Sequence, residues 1–410
     1  MWFYILSLSW AMAFSHQIAA PEPLPLTIEK AVQIALEKNP SIQMLNQEIE
    51  SARAQTLMAT AWPEAEAGFS TEGLGLSKVA RKNETEYSLG LAQPFPFPGK
   101  LKLQNEIGKY YELESRLRLE KEKIILSSEV KEAYYQCLLN QNKEETLQRN
   151  QEWLKEIERN ALSLYALGKV PYTDVIRLRL EIARTKNDWL EVKRELLSSF
   201  YRLNLLLGLE NGTKLKLLSP LQHLPRPELT EIQLEKAREI SPTLQLAAMK
   251  KRRSELQIRL AEKDRWPDFS LGLFSPSHRV GAIGFSFNLS YPLFSRRKLK
   301  GEKLLAQAEW EKALVSVQAT ERFYQVRKKE ALDQVLQAEQ QVKIFEENLL
   351  TEMDAALKKA LSDYQLGKID SLNLLDLYRS SAQVELEYYR ALYLYLSALA
   401  ELERAGEDYE

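Results

Sequence analysis

The chain is written twice. ALEKNPSIQ, from Ala35 to Gln43, returns as AREISPTLQ, from Ala237 to Gln245, and Trp62-Pro63 returns as Trp266-Pro267. LAQPFPFPGKLK (Leu91 to Lys102) aligns with LSYPLFSRRKLK (Leu289 to Lys300). YALGKVPYTDVIRL (Tyr165 to Leu178) aligns with YQLGKIDSLNLLDL (Tyr364 to Leu377). The matches keep one order, at a spacing within a few residues of 200. A duplication on this scale restricts the fold to a single plan used twice. The copies span 26–208 and 228–405, with a connection at 209–227 and a tail at 406–410.

Each copy opens with a helical piece, near Leu26 or Glu228, that Asn39-Pro40 or Ser241-Pro242 divides, because the residue before proline leaves the helical region. Trp-Pro follows, then two alternating segments that predict β-hairpins at about 64–95 and 268–292. In GAIGFSFNLSYP, Ile283, Phe285, Phe287, Leu289 and Tyr291 share one face, against Ala282, Gly284, Ser286, Asn288 and Ser290. In the first copy Tyr87, Leu89 and Leu91 alternate with Glu86, Ser88 and Gly90. Two environments give this pattern: an edge hairpin half-buried on a soluble core, or a strand of about 9–11 residues with lipid on one side and water on the other.

What comes next favours the second. From Lys100 to Leu167, apolar residues such as Val130, Tyr134, Leu138 and Leu147 return every three or four positions, with Lys131-Glu132 and Lys143-Glu144-Glu145 between them. A straight helix over that span is about 100 Å long, too long for a compact monomer of this mass. It must pack as coiled coil on the helix after it and on other chains. The predicted class is therefore mostly α with a membrane β-barrel contribution. Four strands cannot close a barrel in lipid, where an open edge leaves backbone groups unpaired. Two chains would supply eight strands and three would supply twelve; physical chemistry alone leaves both open.

Composition narrows the chemistry. With 56 Lys+Arg against 57 Asp+Glu, nothing calls for a nucleic acid partner. The three histidines, His16, His223 and His278, lie far apart, and there is no nucleophile elbow, phosphate-cradling loop or CxxC. No enzyme, cofactor or metal site is expected. The one cysteine, Cys137, sits among apolar neighbours and reads as a buried small side chain. The N-terminus, MWFYILSLSWAMAFSHQIAAPEPLP, reads as a secretory signal over about 1–20 rather than a membrane anchor, because Ser7, Ser9, Ser15, His16 and Gln17 interrupt its apolar run.

In Gln93 to Lys100, QPFPFPGK, proline occupies every second position. Alternate residues of a strand aim their N–H groups at opposite sides, so Pro94, Pro96 and Pro98 remove donors from one side, while Phe95 and Phe97 keep theirs on the other. Pro98 stands where a helix start tolerates a missing N–H, and Gly99 frees the turn. This is a junction where a strand becomes a helix. The second copy keeps only Pro292 and puts Arg296-Arg297 in place of Pro98-Gly99. The cations Arg296, Arg297, Lys298 and Lys300, matched by Lys100 and Lys102, read either as contacts for lipid phosphates or as a solvated rim.

The signal-like start, the two NP/SP-broken helices, the QPFPFPGK and YPLF junctions and the paired YxLGK turns together resemble the TolC family of outer-membrane efflux proteins, and PFPGK looks most like its heavy-metal and cation efflux branch. The resemblance covers about Leu26 to Glu403. It implies a homotrimer with four strands per chain in one 12-stranded barrel, a helical tube across the periplasm and a mixed α/β equatorial belt, part of it at about Gly208 to Pro227. It implies a passive exit duct of a tripartite efflux or type I export system, set in outer-membrane lipid, that docks a periplasmic adaptor and an inner-membrane pump. In that family the pump usually chooses the cargo.

The resemblance also assigns residues. Gly168-Lys169 and Gly367-Lys368 become periplasmic tips that meet the adaptor; from local sequence alone they read equally as plain helix–helix turns with a glycine C-cap. The entrance falls on Tyr165 and Asp174 in the first copy and on Tyr364, Asn373 and Asp376 in the second. Asn373 is an amide where the family carries an acid, so a double acidic ring is not expected, whereas a threefold ring of Asp376 would still attract cations. Arg177 reads either as part of a closing ion pair with Asp174 or as a solvated helix charge. The reading from another class is a periplasmic adaptor or coiled-coil scaffold without channel activity. That would show one helical hairpin between Gly- and Val-rich β modules, where this chain has two hairpins in tandem and 15 glycines.

Overall fold

A computed structural model describes residues 23–72, 86–226, 231–276, 282–291 and 296–409. The signal segment at 1–20 and Pro292 lie outside the described residues. After a short strand β1 (Leu24–Leu26), the first copy runs α1 (Ile28–Lys38), α2 (Pro40–Thr60), β2 (Glu66–Glu72), β3 (Glu86–Phe95), α3 (Lys100–Ala166) and α4 (Tyr172–Leu206). The connection holds β4 (Leu215–Leu217). The second copy repeats the order as α5 (Glu231–Ile240), α6 (Pro242–Lys263), β5 (Asp268–Pro276), β6 (Gly284–Ser290), α7 (Arg296–Ile344), α8 (Leu350–Gln365) and α9 (Ser371–Arg404). Where α3 is one helix of 67 residues, α7 and α8 are joined by a π-helical turn, Phe345–Leu349.

The breaks follow the cap chemistry. Ser241 accepts the Leu244 N–H at 3.4 Å, and Pro242 takes the first helical position, where no N–H is needed. Asn39 ends α1, and its side chain donates to the Leu206 carbonyl at 2.8 Å.

The chain forms two compact units, with divisions that fall inside α3, α7 and α9. The first comprises Met1–Asn39, Leu126–Pro225 and Val335–Ala400. In it β1 and β4 pair in parallel, Leu24 opposite Leu215. The buried Tyr134 hydroxyl ties that pair to α3, donating to the Leu26 carbonyl at 2.8 Å and accepting the Ser219 N–H at 3.1 Å. Cys137 is fully buried, and burial pushes its thiol up to about 11. A second core joins Leu154, Ile157 and Ala161 of α3, Val175 and Leu178 of α4, Ala360 and Tyr364 of α8, and Leu374, Leu375 and Tyr378 of α9.

The second unit comprises Pro40–Ile125, Arg226–Gln334 and Glu401–Glu410. Its sheet has the order β2-β3-β5-β6, antiparallel throughout, so the two hairpins join along the β3–β5 seam. The register Phe69–Leu89, Leu91–Leu273 and Leu271–Phe287 puts these apolar side chains on one face. Leu89, Leu91, Phe285, Phe287 and Leu289 stay exposed there in a single chain. The other face carries small and polar residues: the Ser70 and Ser88 hydroxyls share a hydrogen bond at 2.7 Å, and Asn288 donates to Ser270 at 3.3 Å. Among the described residues no helix is long and apolar enough to cross a membrane.

Residues 405–409 pack against the second unit's helices. Ala405, Gly406 and Glu407 are buried, and Glu407 accepts the Thr243 N–H at 3.0 Å at the start of α6. Lys121 donates to the Tyr409 carbonyl at 2.6 Å.

Candidate functional site: helix tips and strand–helix junctions

Both tips end in the same hydrogen-bonded turn. The Gly168 N–H reaches the Tyr165 carbonyl at 2.9 Å and the Lys169 N–H reaches Leu164 at 2.9 Å; Gly367 to Tyr364 and Lys368 to Asp363 repeat this at 3.0 and 2.8 Å. The pattern needs a left-handed residue after the cap, and the glycines supply φ of +70° and +71°. The helices resume at Tyr172 and Ser371, the latter after Asp370, whose carboxylate accepts the Asn373 N–H at 2.9 Å.

The two tyrosines before the turns differ. Tyr165 is 46% exposed and its ring lies 5.3 Å from that of Tyr172. Tyr364 is 1% exposed, and among the described residues its hydroxyl has no hydrogen-bond partner. Burial first, and the nearby Asp174 charge second, push the Tyr364 phenol up, so it stays neutral at physiological pH. Asp174 is itself 4% exposed and pairs with Arg177 at 3.4 Å. The structure thus gathers Asp174, Arg177 and Tyr364, with the ion pair running from the buried Asp174 carboxylate to an exposed Arg177. Asn373 and Asp376 are exposed on α9 and take no part in that cluster.

A stronger pair lies one heptad further along α4. Arg379 of α9 donates from Nε to Glu181 Oε1 at 2.9 Å and from Nη2 to Oε2 at 2.5 Å, a two-pronged clasp on a carboxylate that is 7% exposed. Arg379 holds that carboxyl below its ordinary value, against the opposing push of burial. The sequence reading missed this pair. Its signal was the spacing Asp174, Glu181, Asp188, which repeats an acid every seven residues on a helix whose apolar positions have that period.

At the strand–helix junction, β3 ends at Phe95, and the Phe97 N–H, one of the two donors spared by Pro94, Pro96 and Pro98, reaches Asp268 Oδ1 at 2.6 Å. Gly99 has φ +90°, and a side chain there would meet Lys263 Nζ at 2.7 Å. Lys100 is 7% exposed and sits 3.0 Å from Asp268 and 3.4 Å from Asp264. Phe97 stacks on Trp266, and Phe95 on Phe269. Among the described residues no group of three or more His, Cys, Asp or Glu is placed to hold a metal ion.

Amphipathic strands with one exposed apolar face, continued into helices of up to 67 residues, define a channel protein that meets its membrane through strands. The chain belongs to the outer membrane efflux protein family, whose profile matches residues 31–209 and 233–406. It is an outer-membrane channel rather than an adaptor, and its family is one of efflux channels, not of enzymes. The fold is that of a Pseudomonas aeruginosa membrane protein, with TM-score 0.79 and 21% identity over 92% of this chain and 93% of that one. The Campylobacter jejuni CmeC outer membrane channel matches at 0.79 and 16% identity, covering 93% of this chain and 86% of that one. The open state of the Neisseria gonorrhoeae MtrE outer membrane channel matches at 0.74 and 19%, covering 93% and 88%. No curated protein matches the sequence.

Proposed function

We propose that three copies of this chain form the passive exit duct of a tripartite efflux or type I export system. Each copy gives β2, β3, β5 and β6 to one shared barrel in the outer membrane, and the long helices form a tube across the periplasm. The observation that carries the reading is the sheet, with one face of exposed Leu and Phe and two edge strands, β2 and β6, that no other strand among the described residues covers. In lipid such edges must be closed by other chains.

The exposed Gly168-Lys169 and Gly367-Lys368 turns are the contact for a periplasmic adaptor, which links the duct to an inner-membrane pump. Tyr165, Asp174, Arg177, Tyr364, Asn373 and Asp376 form the entrance. Asp174 and Tyr364, sunk in the core between the hairpins, hold it shut, and opening separates α8 and α9 from α4. The exposed Asp376 carboxylates form a threefold ring that attracts cations. The test is oligomer mass in detergent together with single-channel conductance in a planar bilayer. A trimer with discrete conductance supports the reading, and a monomer without conductance refutes it.

A further inference from the structure

Each copy carries two motifs at its strand–helix junction. Trp-Pro and an acid stand at the entry to the first strand, as Trp62-Pro63-Glu64 just ahead of β2 and Trp266-Pro267-Asp268, whose acid opens β5. Lys-Leu-Lys lies at the start of the long helix, as Lys100-Leu101-Lys102 and Lys298-Leu299-Lys300. Along the β3–β5 seam these motifs meet crosswise. The first copy's Lys100 sits against the second copy's Asp268, with Nζ at 3.0 and 3.2 Å from the two carboxylate oxygens.

The other two members stand at the sheet's open edges. Glu64 leads into β2; it is exposed, and among the described residues no cation lies within ion-pair distance of it. Lys298 belongs to α7, which follows β6. Its side chain is 76% exposed, and among the described residues the carboxylate paired with it is Glu302, a turn further on at 3.7 Å. The first turn of α7 holds no acid, while Arg296, Arg297 and Lys298 crowd positive charge onto the end of the helix where the backbone dipole is also positive. In α3 the same conflict at Lys100 is relieved by Asp264 and Asp268.

We propose that Lys298 of one copy and Glu64 of the next complete the same lock between chains, sealing the β6–β2 seam as Lys100 and Asp268 seal β3–β5. This rests on the trimeric reading and adds the residues of its seam. The duplication also fixes the register. Lys100 and Lys298 are 198 residues apart, and Glu64 and Asp268 are 204 apart. Carried by those offsets, the observed pair Leu91–Leu273 becomes Leu289 opposite Phe69 of the next copy, and Asn288 falls opposite Ser70. The outcome is in phase: Leu289 and Phe69 both lie on the exposed apolar face, and Asn288 and Ser70 both on the polar one. A slip of one residue would put them on opposite faces.

The test uses the full chain in detergent. Leu289→Cys with Phe69→Cys, and separately Asn288→Cys with Ser70→Cys, probe the register. Successive opposed pairs alternate in Cα spacing between about 5.5 and 4.5 Å, both within disulfide reach. A disulfide-linked oligomer on a non-reducing gel is expected from at least one pair. No cross-link in a chain that is still oligomeric overturns the register, whereas a monomeric mass refutes the trimer itself. The lock is tested by charge reversal. Lys298→Glu and Glu64→Lys should each raise the dissociated fraction on the order of tenfold, because three ion pairs per trimer become three repulsions. The combined reversal should restore assembly. Cross-linking without that rescue overturns the lock and leaves the trimer standing. If Lys298→Glu instead lowers retention of phosphatidylglycerol while Glu64→Lys leaves assembly unchanged, the cations serve lipid phosphate and the lock is again overturned.

Discussion

Replacing Arg379 with Met removes both prongs from Glu181 and leaves a carboxylate that is 7% exposed without its main partner. Breaking a fully buried pair on one side costs about 3–5 kcal/mol. Two features reduce that here: Arg379 is itself 45% exposed, and Arg184 stays 3.7 Å from the same carboxylate. The expected loss is about 1–2 kcal/mol, or roughly tenfold in local opening. Native-state hydrogen exchange of the α4 amides from about Val175 to Ile182 reads it directly. Glu181→Gln should give a smaller loss, since the amide still accepts one bond. The double variant should fall short of the sum by about 1 kcal/mol, because the two side chains act on one contact. Additivity within about 0.3 kcal/mol, or unchanged exchange in Arg379→Met, would refute the clasp. The pH dependence has a definite sign. A carboxyl depressed in the folded state contributes stability that is fully present above its unfolded value of about 4.3 and is lost as pH falls through the folded value. Corrected for intrinsic exchange, protection should stay level from about pH 5 to 8 and decline below about pH 4.

Other outcomes follow from the same geometry. Asp376→Ala should weaken block of the pore by multivalent cations and Asn373→Asp should strengthen it; identical block in wild type and both variants would remove these residues from the entrance. Gly168→Ala and Gly367→Ala should each cost about 1 kcal/mol through positive φ alone, since neither site has an atom within 4 Å of an added methyl. Thermal scans of the folded protein that show no shift would contradict the strain. Cys137, buried with its thiol pushed up to about 11, should resist maleimide until the protein is denatured; rapid labelling of the folded protein would place it elsewhere.

The duplicated plan, the two hairpins and the tip turns were legible because their signals are local and written twice: period-two alternation, Trp-Pro, and Gly-Lys after a long apolar stripe. The pairing of β1 with β4 was not. Three residues carry no periodicity, and Leu24 meets Leu215 only through contacts far apart in the chain. Nor was the burial of Ala405, Gly406 and Glu407, since only the folded unit shows that Glu407 accepts an amide of α6. At the tips, sequence placed Tyr165 and Tyr364 as equivalents, yet one is exposed and the other enclosed, because packing between the hairpins breaks the symmetry that the repeat suggests. The acid of the Glu181–Arg379 pair carried a heptad signal, but its arginine carried none. Its partner is 198 residues away, on a different helix.

The π-helical turn at Phe345–Leu349 carries a trace of ancestry. The copies are offset by 198 residues at the junction, Lys100 to Lys298, but by 199 at the tip, Gly168 to Gly367. The second copy is therefore one residue longer than the first between those landmarks. An extra residue in a regular helix would rotate everything beyond it by about 100°, carrying Tyr364 out of the core. A π turn accommodates a single insertion by widening one loop of backbone, so the heptads on either side keep their old bearings. Excising one residue from that turn should convert the segment to a plain α-helix and leave both ends in place, bringing the second copy to the length of the first without moving Tyr364 from its core.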